Sequence, residues 1–135
     1  MKSTLFIFIV ALAAAFSACG VQRDSEVKSF IADMDQVAID IERTVNEKPD
    51  TGVDRAQQML DARKPELKKK FESLKELRGY QLSEATTKEF TDAVARNVEK
   101  VGDLQIKYAE KSVDDEKFGQ KLSKLSDDFN SIFGV

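Results

Sequence analysis

Apolar residues recur at spacings of three and four along most of this chain, and strand-like alternation is almost absent. That period predicts helices. The first runs from about Ser25 to Glu47, with Val27, Phe30, Ile31, Met34, Val37, Ala38, Ile41 and Val45 on one face. Lys48-Pro49-Asp50-Thr51-Gly52 interrupts it, because proline cannot continue a helix and glycine relaxes the turn. Thr51, with Asp54 three residues on, has the pattern of a capping box opening a second helix. This second helix covers roughly Val53 to Arg78, with Ala56, Leu60, Leu67, Phe71, Leu74 and Leu77 as its apolar positions and Pro65 inside it. Either it breaks at the proline or it is one kinked helix. The unbroken phase from Leu60 through Leu67, Phe71 and Leu74 favours the kink, and Gly79 then ends it.

Ser83 caps a third helix reaching about Lys111, with a seam of Phe90, Val94, Val98, Val101, Leu104 and Tyr108. Ser112 and Asp115 pair as the next capping box, followed by Phe118, Leu122, Leu125, Phe129 and Ile132 in unbroken four-three alternation. Each helix has one apolar and one charged face, so none is stable alone and all must share a core. The expected fold is all-α, an antiparallel up-down-up-down four-helix bundle over residues 25–135.

The N-terminus has a different pattern. Met1-Lys2-Ser3-Thr4 carries one positive charge, and an apolar run of 12 residues follows from Leu5 to Phe16, then Ser17-Ala18-Cys19-Gly20. A membrane span needs about 20 apolar residues, so this run reads as an export signal. Phe16-Ser17-Ala18-Cys19 resembles the lipobox of bacterial lipoproteins, in which the signal is cut before a cysteine that receives diacylglycerol. Ser17 and Ala18 fit its small-residue positions, and Phe16 stands where leucine is usual. The resemblance implies residues 1–18 as the signal, Cys19 as the lipidation site, 19–24 as a lipidated tether, and attachment to the membrane through the acyl chains. With Gly20 rather than aspartate after the cysteine, it also implies the outer membrane, facing the periplasm. The competing reading is an ordinary secretory signal cut near Ala15. That cut leaves an unpaired thiol in an oxidising compartment, which acylation avoids. Two or three acyl chains hold a protein on a membrane far more firmly than one.

Removing residues 1–18 takes one lysine and no acid, leaving 20 basic against 24 acidic residues, a net charge of −4. Nucleic acid is therefore not an expected partner, since a basic stripe is missing. The chain has no histidine and one cysteine. That removes the usual general base, the usual zinc ligand, the Glu-x-x-His elements of di-iron bundles and covalent haem attachment. Met34 and Met59 read as core fillers. The acidic pairs Asp33/Asp35, Asp114/Asp115 and Asp127/Asp128 diverge on a helix and do not make a metal site. No catalytic residue, cofactor or metal is expected.

Arg63, Lys64, Lys68, Lys69 and Lys70 form the one basic cluster, interlaced with Glu66, Glu72 and Glu76, and read as a solvated face. Gly102 and Gly119 lie inside predicted helices, where close helix approach or a bend opening a cavity would explain them. Asn97 and Gln105 flank the third seam, and Tyr80 and Tyr108 place hydroxyls at apolar borders. Of the nine phenylalanines, three belong to the signal and six to the expected core. The C-terminus lacks the lysine by which the major murein lipoprotein is joined to the cell wall. The expected function is a membrane-anchored envelope lipoprotein whose bundle is non-catalytic and contacts an envelope protein, and the alternative is a bundle holding a small ligand or lipid.

Overall fold

The computed structural model describes the backbone of residues 4–77 and 82–135 and, within these, the side chains from Arg23 onward. Five helices follow one another: α1 (Thr4–Glu47), α2 (Pro49–Lys75), α3 (Glu84–Lys107), α4 (Ala109–Asp114) and α5 (Glu116–Asn130). There is no strand among the described residues. The four long helices make the expected bundle, and α4 is a short extra turn between α3 and α5.

Helix directions alternate along the chain, but the ring of neighbours is α1, α2, α5, α3. The parallel pairs α1/α3 and α2/α5 are therefore adjacent, and the chain passes diagonally from α2 to α3. Asp24 marks this crossing, where its carboxylate accepts from the Ser83 backbone N–H at 3.0 Å.

All eight apolar positions expected of the first helix are buried on α1. On α2 the seam passes through Pro65 without a break, from Leu60 to Leu67, Phe71 and Leu74. Pro65 itself is exposed, so the missing hydrogen bond falls on the solvent side, where water can replace it. All five expected positions of the last helix, Phe118 to Ile132, are buried as well. The six phenylalanines beyond the signal meet in the core: Phe30, Phe71 and Phe90 lie within 6.2 Å of one another by ring centroid. Phe133 stands edge-on to both Phe71 and Phe129, and Phe118 packs edge-on to Tyr108. Edge-on pairs of this kind add to the burial term.

Several local expectations change. The second helix starts at Pro49, in the first-turn position that tolerates proline, and Lys48 alone joins it to α1. Thr51 therefore lies within the first turn and caps nothing. Gly52 is buried against α1, where a Cβ would stand 2.2 Å from the Thr44 carbonyl oxygen; the glycine serves helix contact rather than a turn. Ser83 caps α3 as expected, accepting from Thr86 N–H at 3.2 Å. The third helix, however, ends at Lys107, because Tyr108 leaves helical geometry at φ −105°, ψ 24°. At the next start Asp115 is the cap, accepting from Phe118 N–H, while the Ser112 hydroxyl turns back to the Tyr108 carbonyl. Gly79 and Tyr80 lie outside the described residues.

The face that α3 buries is the largest departure. Thr86, Ala93, Asn97, Val101 and Leu104 are its buried residues, whereas Val94 and Val98 are only half-buried. A Cβ at Gly102 would meet nothing within 4 Å, while one at Gly119 would stand 3.0 Å from the Ser112 side chain. Close approach thus explains Gly119 and not Gly102.

Candidate functional site

The polar side chains of the bundle gather at its helix seams. Between α1 and α2, Lys70 bridges Asp33 at 3.1 Å and Glu66 at 2.8 Å, and the hydrogen bonds it donates to the Glu66 and Asp33 carboxylates raise its pKa. Between α1 and α3, Arg96 pairs with Asp35 at 2.8 Å and Lys100 with Glu42 at 3.2 Å. Asn97, 1 % exposed, donates both hydrogens of its amide, to Asp35 and to the Ala93 carbonyl at 2.8 Å. Asn46 accepts from Lys107 and from the Tyr108 hydroxyl, each at 2.8 Å. Burial raises the pKa of that hydroxyl.

Between α2 and α5, Asp128 is the hub. It accepts from Lys124, from Lys64 at 2.8 Å and from Gln57 at 2.8 Å. The hydrogen bonds from Lys124 and Lys64, with Gln57 adding to them, hold its pKa at about 2. A carboxylate so fully engaged is a poor proton acceptor at neutral pH, and its role is to join helices. Lys121 reaches Asp54 at 2.7 Å on the same seam. Lys111 pairs with Asp50 across the top of the bundle, and this pair lowers the acid and raises the base.

These pairings divide the candidate residues. Asp33 and Asp35 point to different neighbours, as adjacent turn positions dictate, and among the described residues no group of three or more metal-ligating side chains assembles. The basic cluster is divided too: Lys64 and Lys70 are held in seams, while Lys68 and Lys69 are exposed. Met34 is core and Met59 packs against it; Gln105 is exposed. Among the described residues no helix is long and apolar enough to cross a membrane. Cys19 and the rest of Phe16-Ser17-Ala18-Cys19 lie outside the residues whose side chains are described.

An open groove of about 570 Å³ follows the α1–α2 seam near Arg23, lined by Ser25, Ser29, Phe30, Lys69, Ser73 and Leu74 among others. Phe30 is 2 % and Leu74 8 % exposed, so its two large apolar side chains present little surface themselves, and Glu26, Glu66, Lys69 and Lys70 border it with charge. Asn97, an expected cavity residue, already has both amide hydrogens donated to the protein.

Sequence reading gave Gly52 the wrong role and missed Asn46 and the Asp128 hub. Asp128 left one trace, its i, i+4 spacing from Lys124. The other three seams carry ion pairs, but among the described residues none joins α3 to α5. Compared with known protein families, curated proteins and solved structures, the chain matches none.

Proposed function

We propose that this chain is an exported lipoprotein, held on the outer membrane by acyl chains on Cys19 and facing the periplasm. Its bundle is a non-catalytic module that contacts other envelope proteins. The observation that carries the reading is the place of Cys19, the only cysteine, two small residues past a 12-residue apolar run with a single lysine before it. The bundle is in keeping with it: ion pairs hold Lys64, Lys70, Asp35 and Asp128 in helix seams, and the open groove is bordered by charged side chains.

Intact mass spectrometry of the mature protein from membranes tests the anchor, beside a Cys19→Ala variant. The expected N-terminal peptide begins at Cys19 and carries added acyl mass, and the variant lacks it. A mature start near Phe16 with a free thiol overturns the reading.

A further inference from the structure

Apart from Glu84 and Lys88 in its first two turns, α3 keeps its charged residues on one side. Arg96 and Lys100 reach α1, Glu99 and Asp103 follow between that line and solvent by the 100° advance per residue, and Glu110 stands exposed on α4 just past the break at Tyr108. None of these three acids has an ion-pair partner among the described residues. The adjoining face, turned outward beside α5, is uncharged through Ala95, Val98, Gly102 and Gln105. Ile106, 77 % exposed, borders it, and Val113 on the following α4 is 84 % exposed.

We propose that this face binds a second copy of the same chain about a two-fold axis parallel to the helices, with α3 of each protomer against α5 of the other. Charge selects this occupant. The far edge of α5 is basic: Lys117 has no ion-pair partner among the described residues, and Lys124 shares Asp128 with Lys64. The proposed two-fold sets the acidic edge of one α3 against the basic edge of the other α5, twice over. Heights agree as well. Tyr108 lies beside Phe118 at one end, and Phe90 and Phe133 both flank Phe71 at the other. On that scale Glu110 stands level with Lys117 of the partner, and Glu99 with its Lys124.

Two adjacent helices over this length offer roughly 30 Å by 20 Å, about 600 Å² per copy, the lower end of what a stable pair buries. Asp127 on α5 also turns to this side, and its desolvation is the main cost. Both chains enter the pair from the same end, so two anchored copies could form it in one membrane, but the contact itself does not depend on the anchor.

A short bis-maleimide applied to membranes expressing the full chain tests the pairing. Gln105→Cys places a thiol near the two-fold axis, and Gln58→Cys places one on the exposed side of α2 as a control. The expected result is a product of twice the chain mass from Gln105→Cys and none from Gln58→Cys. Glu110→Lys should remove most of that product and Lys117→Glu, added to it, should restore it, which no different partner would do. A product of another mass, equal yields at both positions, no product, or no restoration overturns the proposal. Dimer from the parent chain would instead report a free Cys19 thiol and count against the lipoprotein reading alone. The same variants in a Cys19→Ala chain then decide the pairing.

Discussion

Helices α1 and α3 run side by side and in the same direction, but they are held in different ways. Among its described side chains α1 buries eight apolar ones, including Phe30 at 2 % and Ile41 at 0 % exposure, and has ion pairs to both of its neighbours. α3 buries Thr86 and Asn97 along with three apolar residues, leaves Val94 and Val98 half in water, and among the described residues has inter-helix ion pairs to α1 alone. Burial of large hydrocarbon sets the place of α1, whereas directed polar contacts set that of α3. The first arrangement leaves less of its inward apolar surface to water than the second.

The largest effect expected from this difference is at Phe30. Phe30→Ala removes a ring shared by α1, α2 and α3 and should cost about 3–5 kcal/mol, while Val98→Ala on α3 should cost less than about 1 kcal/mol because water already reaches the site. Urea unfolding of both variants measures the contrast, and equal losses would erase it. Gly52→Ala comes next. The added methyl meets a backbone oxygen of α1, which cannot swing aside as a side chain could, so a loss of about 3 kcal/mol is expected from one carbon. A loss under about 1 kcal/mol would mean that the α1–α2 hairpin yields more easily than its single-residue connection suggests.

Asn97→Ala tests the polar side of the comparison. It removes the donor to Asp35 and to the Ala93 carbonyl and leaves a small void in α3, for a loss of about 2 kcal/mol. Asn97→Leu should do no better, since extra hydrocarbon there faces the Asp35 carboxylate. A variant more stable than the parent would show that packing, not hydrogen bonding, governs α3.

The same contrast separates what was legible in the sequence from what was not. Periodicity of large apolar residues places α1, most of α2 and α5 correctly, because in those helices the buried side chains are large and apolar. On α3 it selects Val94 and Val98, one step around the helix from the Ala93 and Asn97 that are buried, since a buried asparagine looks like a surface residue until its partner Asp35, 62 positions away, is in place. The hairpin start was misplaced for a related reason: Pro49 and Gly52 are strong turn signals, yet here one opens a helix and the other lets two helices touch. The seam ion pairs are long-range, and a list of charges does not reveal them. Cys19 rests on a local sequence signal and needs no fold to be read.

pH reaches the α2–α5 seam through Asp128. Its pKa is about 2 in the folded chain against an ordinary 3.8, so its contribution is complete above about pH 4 and disappears as pH falls through 2. With part of the group in contact with water, about 1–2 kcal/mol is expected. Asp128→Asn should flatten the acid limb of stability over that interval, as followed by thermal unfolding at stepped pH. An unchanged slope would mean that Lys64 and Lys124 do not act through this carboxylate.

The smallest expected effect has the opposite sign. Glycine in the middle of a helix costs about 0.5–1 kcal/mol relative to alanine, because the unfolded chain has more freedom to lose. At Gly52 that gain cannot be realised, since the methyl has nowhere to go. At Gly102 nothing stands within 4 Å of the new Cβ, so Gly102→Ala should stabilise the isolated chain by about 0.5–1 kcal/mol, a rise of roughly 3–5 °C in midpoint for a domain of this size. The face around Gly102 is also where the second copy would lie, so the methyl should lower the yield of crosslinked dimer as it raises the melting point. The two readouts moving in opposite directions would mark Gly102 as a residue kept small for contact between chains. If both rise together, the open space beside α3 is simply solvent, and the glycine has no part in pairing.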